Sequence, residues 1–274
     1  MKYYDSSRNR IIYVTESATA DFWDDHWEIA GNLEERAFGK KDTFVSRVTR
    51  RYVEDRQGMI LEGGCGTGQF VASLWKNGYR VVGLDFGQRT IRAVKEKMPG
   101  LSLALGDVRA LPFRDRSMLG YWSLGLIEHF WGGYDEVRSE MTRVLCDGGY
   151  LFVTFPYMSP LRRMKGWLGL YRGWSEGGTP PTGFHQFALD AEVVEREFKK
   201  EGFRLVKRIP HDAVTGAREE IPFLRGAMEK LSNNSWKFRV VGYVNTLWNR
   251  LLSWLMGHCV LLVLQKELGA DKGR

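Results

Sequence analysis

The chain has few of the features that mark secreted, membrane-spanning or metal-binding proteins. Its only cysteines are Cys65, Cys146 and Cys259, an odd set with no CxxC spacing. That excludes a disulfide framework and a zinc site as leading readings, and makes a reducing cytoplasm the expected compartment. The first residues, MKYYDSSRNR, contain no apolar h-region, so no secretory signal is expected. The longest uncharged apolar run, Leu251 to Leu264, is interrupted by Gly257 and His258. It falls short of the roughly 20 residues that a spanning helix needs. There is no dense Lys/Arg tract, no internal repeat and no low-complexity segment. The net charge of +7 permits an anionic partner but does not choose among nucleic acid, a membrane surface and an acidic substrate.

What the sequence does have is an ordinary globular balance, 43% hydrophobic and 27% charged over 274 residues. That suits one generous domain, or a core with insertions. Residues 1–56 read as a helical N-terminal arm, with Phe22, Trp23 and Trp27 clustered in DFWDDHWEI. From Met59 onward, short β-rich runs alternate with helical stretches. Strands are expected at 59–61, 79–86, 101–105, 118–124, 150–155, 203–209 and 259–265. Helices are expected at 70–75, 89–98, 135–145 and 189–200. Such alternation implies crossover units and a mostly parallel sheet covered on both faces. The expected domain therefore runs over 57–274, interrupted by two lid insertions near 158–183 and 221–256.

The strongest signal is LEGGCGTGQF, residues 61–70. Gly64, Gly66 and Gly68 sit on alternate positions between a strand and a helix, where the backbone must turn sharply and let a ligand approach. A dinucleotide fingerprint would place a third glycine at position 69, which is Gln69. The GK[ST] ending of a phosphate-binding loop is also absent. Asp85 ends the second strand in VVGLDF and can accept from two ribose hydroxyls. Asp107 ends the third in ALGDVRALPF and can accept from an adenine amino group, with the Val108 N–H facing a ring nitrogen. Together these residues define one crevice at the carboxyl edge of a sheet, where open α/β folds bind ligands.

These segments resemble the class I S-adenosylmethionine (SAM) dependent methyltransferases, in particular the ubiquinone/menaquinone-biosynthesis-like small-molecule branch. The matching motifs are LEGGCGTGQF, VVGLDF, GDVRALPFRDRS, WSLGLIEHF and RVLCDGGYLFVTFP, over roughly residues 59–156, with HQFALDAEVVEREFKKEGF extending the match. The resemblance implies a Rossmann-like seven-stranded sheet whose last strand runs antiparallel. It also implies that Glu62, Gly64 and Gly66 hold the methionine end of SAM, Asp85 the ribose, and Asp107 and Val108 the adenine. Ser123 and Leu124 would lie under the sulfonium. Gly63 departs from the family, which usually has an apolar residue there.

Methyl transfer is an in-line displacement at an already activated carbon, so the protein mainly supplies orientation, with a base if the nucleophile carries a proton. His129 in LIEHF and His185 are the candidate catalytic residues, favoured because a histidine titrates near neutral pH; Glu128 ranks below them. A [DN]PP[YF] motif and a Pro-Cys nucleophile are both absent, which weighs against nucleic-acid acceptors. No carboxylate and His set has metal-ligand spacing.

The two insertions are rich in Trp, Leu and Arg. Leu161, Met164, Leu168 and Tyr171 recur at helical spacing, as do Val244, Leu247, Trp248, Leu251, Leu252 and Leu255. They are expected to cover a pocket for a small-molecule acceptor, or to touch a membrane surface and receive a lipophilic one. The alternatives that stay open are an RNA or protein acceptor and a non-catalytic SAM-binding protein. Nothing in the sequence sets the oligomeric state.

Overall fold

The computed structural model describes residues 1–29, 41–175, 179–221 and 252–269. Its centre is a seven-stranded sheet built from β3 (Met59–Gly63), β4 (Arg80–Asp85), β5 (Leu103–Leu105), β6 (Met118–Leu124), β7 (Leu145–Pro156), β10 (Phe203–His211) and β11 (Cys259–Lys266). The strand order is β10-β11-β7-β6-β3-β4-β5. β3 pairs in parallel with both β4 and β6, and β6 with β7, whereas β11 is antiparallel to β7 and β10. The expected Rossmann-like sheet with one reversed strand is therefore present. The chain runs outward from β3 to β5 and then returns to the other side of β3. That reversal opens a crevice at the carboxyl ends of the strands.

Side chains alternate across the sheet, so each strand feeds two cores. On one face Leu61, Tyr121, Val153 and Leu262 meet Val137 and Met141 of α5 (Asp135–Val144) and Val194 and Phe198 of α7 (Ala191–Lys200). On the other, Ile60, Trp122, Phe152 and Leu261 meet α2 (Phe44–Tyr52), α3 (Gln69–Lys76) and α4 (Gln88–Lys97). Trp122 stacks on Phe152 at 4.3 Å and donates its indole N–H to Thr49 Oγ1 at 3.0 Å, which satisfies the one polar atom of a fully buried ring.

The N-terminal arm differs from its expectation. Among the described residues of the arm, Ala20–Ile29 (α1) and α2 are helical, and Lys2–Asp5 (β1) and Arg10–Val14 (β2) form an antiparallel hairpin. With β8 (Arg172–Gly173) and β9 (Phe184–Ala188) the hairpin makes a second, four-stranded sheet. KYYD and RIIYV are aromatic and β-branched, and Asn9 at φ 46° closes the turn between them. These runs are too short to stand out in a sequence, and the sheet needs partners more than 150 residues away. The first insertion contributes α6 (Pro160–Trp167) as well as β8. Of the second, Val244, Leu247, Trp248 and Leu251 lie outside the described residues. Leu252 and Leu255 pack beside Leu161, Ala213 and Ala217, the last two on α8 (Ala213–Glu220).

A buried ionic cluster joins the two sheets. Arg162 on α6 is fully buried and donates to Glu220 Oε1 at 3.0 Å and to the carbonyls of Tyr157 and His258. Lys2 and Lys165 reach the same glutamate at 2.9 and 2.7 Å, and the Tyr171 hydroxyl donates to it at 2.6 Å. Removing one member of such a cluster leaves uncompensated buried charge. Arg162→Ala is expected to lower stability by about 3–5 kcal/mol, read from urea unfolding; an unchanged midpoint would show the cluster to be energetically neutral.

Candidate functional site

β3 ends in the glycine loop. Gly64, Gly66 and Gly68 all take positive φ, of 74°, 50° and 68°, a region that side chains with a Cβ rarely enter. The loop doubles back so that Gly64 N and Cys65 N both donate to the Leu84 carbonyl, at 2.8 and 3.1 Å. The next strand end then supplies Asp85, whose carboxylate accepts from Gly66 N and from Gly87 N, each at 2.8 Å. Burial raises its pKa, and these two backbone hydrogen bonds oppose that rise. Gly66 N bonds Oδ2 and Gly87 N bonds Oδ1, so each oxygen keeps lone-pair capacity for a further donor.

Gly63 has a specific cause. A Cβ there would lie 2.1 Å from the Tyr121 hydroxyl, which occupies the space an apolar side chain would need. A tyrosine on β6 fills the space that the glycine leaves.

A cavity of about 320 Å³ opens over this edge. Six of the residues singled out from the sequence line it together: Gly64, Asp85, Asp107, Val108, Leu124 and His129. Glu62, Gly66 and Ser123 sit behind the wall. Glu62 and Ser123 are buried, and Glu62 Oε2 and Ser123 Oγ have no hydrogen-bond partner. Burial pushes the Glu62 carboxyl well above the usual range. Asp107 holds a more occupied position than expected. Arg109 chelates its carboxylate, with Nε at 3.0 Å and Nη2 at 2.6 Å, and this hydrogen bonding keeps its pKa low. To accept from an adenine, Asp107 must share that contact.

His185 does not line the cavity but supports it. Its carbonyl accepts from His129 Nδ1 at 2.7 Å, which fixes the His129 tautomer with the proton on Nδ1. Burial pushes His129 down to about 4, against smaller upward pulls from the His185 and Gly125 carbonyls. His129 is therefore a neutral imidazole near pH 7, outside the titration range on which its sequence-based selection rested. Glu128 moves the opposite way. It is buried, its Oε2 is unpartnered, and burial pushes its carboxyl up to about 8.

Sequence reasoning missed the roof. Trp23 and Ala18 line the cavity, and the Trp23 ring meets His129 edge-on at 5.1 Å. Asp24 anchors this helix: it is buried and accepts from Thr90 N at 3.0 Å and Thr90 Oγ1 at 2.7 Å, capping α4 from 66 residues away. DFWDDHWEI stands out as aromatic and acidic in the sequence, but nothing local says which helix it caps.

The geometry fits a SAM-sized ligand: a loop in which Gly64, Gly66 and Gly68 carry no Cβ, a recessed carboxylate, unpartnered buried oxygens at the loop's base and apolar walls. Residues 61–153 also match the family model for a methyltransferase domain. Over that third of the chain the residues are similar to methyltransferase domains.

The chain is 34% identical over 97 residues to a probable S-adenosylmethionine-dependent methyltransferase of Mycolicibacterium smegmatis, covering 35% of this chain and 37% of the relative. It is 31% identical over 90 residues to a malonyl-(acyl-carrier protein) O-methyltransferase of Erwinia pyrifoliae, covering 33% and 34%. The matches thus span about a third of the length of these curated relatives. Among solved structures, the fold resembles a SAM-dependent methyltransferase from Archaeoglobus fulgidus, with a TM-score of 0.51 and 18% identity over 85% of this chain and 98% of the other. It also resembles the cyclase SpnF, with a TM-score of 0.57 and 18% identity over 93% and 99%.

Asp85→Ala removes the carboxylate expected to accept from a ribose and unties Gly66 from Gly87. Charge-assisted hydrogen bonds are each worth about 1.5–3 kcal/mol. S-adenosylhomocysteine affinity is expected to fall on the order of a hundredfold, measured by calorimetric titration; full retention in a folded variant would remove Asp85 from the site. A second expectation concerns Glu128, whose folded pKa of about 8 exceeds the 4.5 of a free carboxyl. Between these values the folded state holds the extra proton, so stability falls as pH rises from 4.5 through 8. Glu128→Gln should flatten that part of the stability curve; an identical pH dependence would place the cause elsewhere.

Proposed function

We propose that the chain transfers the methyl group of SAM to a small apolar or lipid-linked acceptor, releasing S-adenosylhomocysteine. The observation that carries this reading is one cavity lined by the cofactor-type residues Gly64, Asp85, Asp107 and Val108 on one side and by Trp23, Leu126, His129 and Phe130 on the other. When bound, SAM supplies an electrophilic methyl group.

In this reading Glu62, Gly64 and Gly66 hold the methionine end and Asp85 accepts from the ribose. Asp107 and Val108 meet the adenine, while Ser123 and Leu124 underlie the sulfonium. The apolar walls exclude water from the path of the methyl group. His129, fixed by the His185 carbonyl, has only Nε2 left to accept a proton or a hydrogen bond. With a pKa of about 4 it is a weak base. It suits an acceptor whose nucleophile needs little deprotonation, such as a carboxylate, or a neutral amine that loses its proton after the methyl arrives. The malonyl acceptor in the name of the Erwinia relative is of the first kind.

The test is calorimetric titration with S-adenosylhomocysteine, with NADH as control, followed by methyl-transfer assays on carboxylate, amine, phenol and carbon acceptors. Binding of S-adenosylhomocysteine alone and turnover on at least one acceptor support the reading; binding without turnover on any class would leave a non-catalytic SAM-binding protein. His129→Ala should retain cofactor affinity while lowering kcat by about tenfold or more, whereas His185→Ala, which keeps the carbonyl that orients His129, should change kcat far less. If His129 Nε2 takes the proton, the wild-type rate is flat near neutrality and declines only as pH drops toward 4. A rate that climbs through pH 8 would instead transfer that role to Glu128.

A further inference from the structure

Helix α6 is inside out. Its inward face carries Arg162, fully buried in the ionic cluster, and Gly166, where a Cβ would lie 2.9 Å from the Tyr4 ring. That close fit fixes the helix rotation and turns its apolar side chains outward. Trp167 is 84% exposed, Met164 50%, and, in the turn that follows, Leu168 52% and Leu170 62%. Four large apolar groups within seven residues thus face water while an arginine is buried. A helix designed for an aqueous surface shows the opposite arrangement. Trp254 is exposed as well, at 63%, on the short helical segment whose Leu252 and Leu255 share a cluster with Leu161 of α6.

From this inversion we infer that α6 and the turn after it dock on an anionic lipid bilayer. The patch is the end of a helix and a turn, with side chains that stand out singly, a shape that suits insertion into a fluid interface; tryptophan favours the headgroup region. Charge agrees with an anionic surface. Residues 148–175 contain no Asp or Glu, Arg172 is exposed beside the patch with its guanidinium over the Tyr3 ring, and the whole chain carries +7. The carboxylates that bind Arg163 and Lys165 come from other elements, Asp190 and Glu220. The patch is also well placed. β7 ends at Pro156 on the carboxyl edge of the sheet, where the cavity opens, and α6 begins at Pro160. A docked bilayer would lie near that edge, so an apolar acceptor need not cross water to reach it. That consequence, though not the docking itself, rests on the methyltransferase reading.

The test is flotation of the full chain with phosphatidylcholine vesicles, with and without phosphatidylglycerol, beside the double variant W167S/L170S. The wild type is expected to float with the phosphatidylglycerol vesicles and less so at high salt. The double variant should bind them about tenfold or more weakly. Because both side chains are exposed, its melting midpoint and its affinity for S-adenosylhomocysteine should match the wild type. The inference is overturned if the wild type floats with neither vesicle, if the variant floats equally well, or if sedimentation shows a concentration-dependent dimer that the variant loses, which would make the patch a contact between copies. A chain that floats but fails to bind S-adenosylhomocysteine would overturn the methyltransferase reading and leave the docking intact.

Discussion

The carboxylate of Asp85 is the contact on which the site depends. It accepts from Gly66 N on one loop and from Gly87 N at the start of α4, and so joins the loops that follow two adjacent strands. Both loops would otherwise leave backbone N–H groups unpaired in a nearly dry crevice, which is costly. The sheet brings β3 and β4 side by side, but the carboxylate sets the distance between the loops. Its burial raises its own pKa, so the site keeps a carboxylate where a charge is poorly solvated, and a hydroxyl-rich ligand then has the most to offer it.

A second carboxylate repeats the device one layer out. Asp24 accepts from Thr90 N and Thr90 Oγ1, and its neighbour Trp23 roofs the cavity against His129. The two acids converge on the N-terminus of one helix, α4. Their mutual repulsion contributes to the raised pKa of Asp85. Floor and roof are therefore coupled through the N–H groups of a single helix end, which both carboxylates accept from.

The parts legible in the sequence are those encoded locally. LEGGCGTGQF, VVGLDF and GDVRALPF each specify a strand, its end and the residue presented there, and the parallel sheet aligns those ends without further information. What the sequence hides is long-range. Lys2–Asp5 and Arg10–Val14 become strands only because residues 172–173 and 184–188 flank them. The reason for the glycine at position 63 lies on another strand, where the Tyr121 hydroxyl occupies its Cβ space. The histidines were legible as a pair of candidates, but not their electrostatics. Adjacent residues in LIEHF are moved in opposite directions by the same burial, because desolvation favours the neutral form of both an acid and a base.

The fold by itself does not name a reaction, as its likeness to both a methyltransferase and a cyclase shows. What narrows the chemistry is the asymmetry of the cavity. Its floor is polar backbone, fixed carboxylates and buried unpartnered oxygens, all suited to an invariant ligand. Its other walls are Trp23, Leu126 and Phe130 around one neutral imidazole. A wall of that kind contributes shape and dryness and very little charge, so it favours apolar fit over charge pairing. The same preference for apolar surroundings recurs on the outside of α6, where the chain spends a buried ionic cluster to hold tryptophan and leucine in the open. Apolar walls inside and an exposed apolar helix outside set one physical problem at both places, that of covering hydrophobic surface that water solvates poorly.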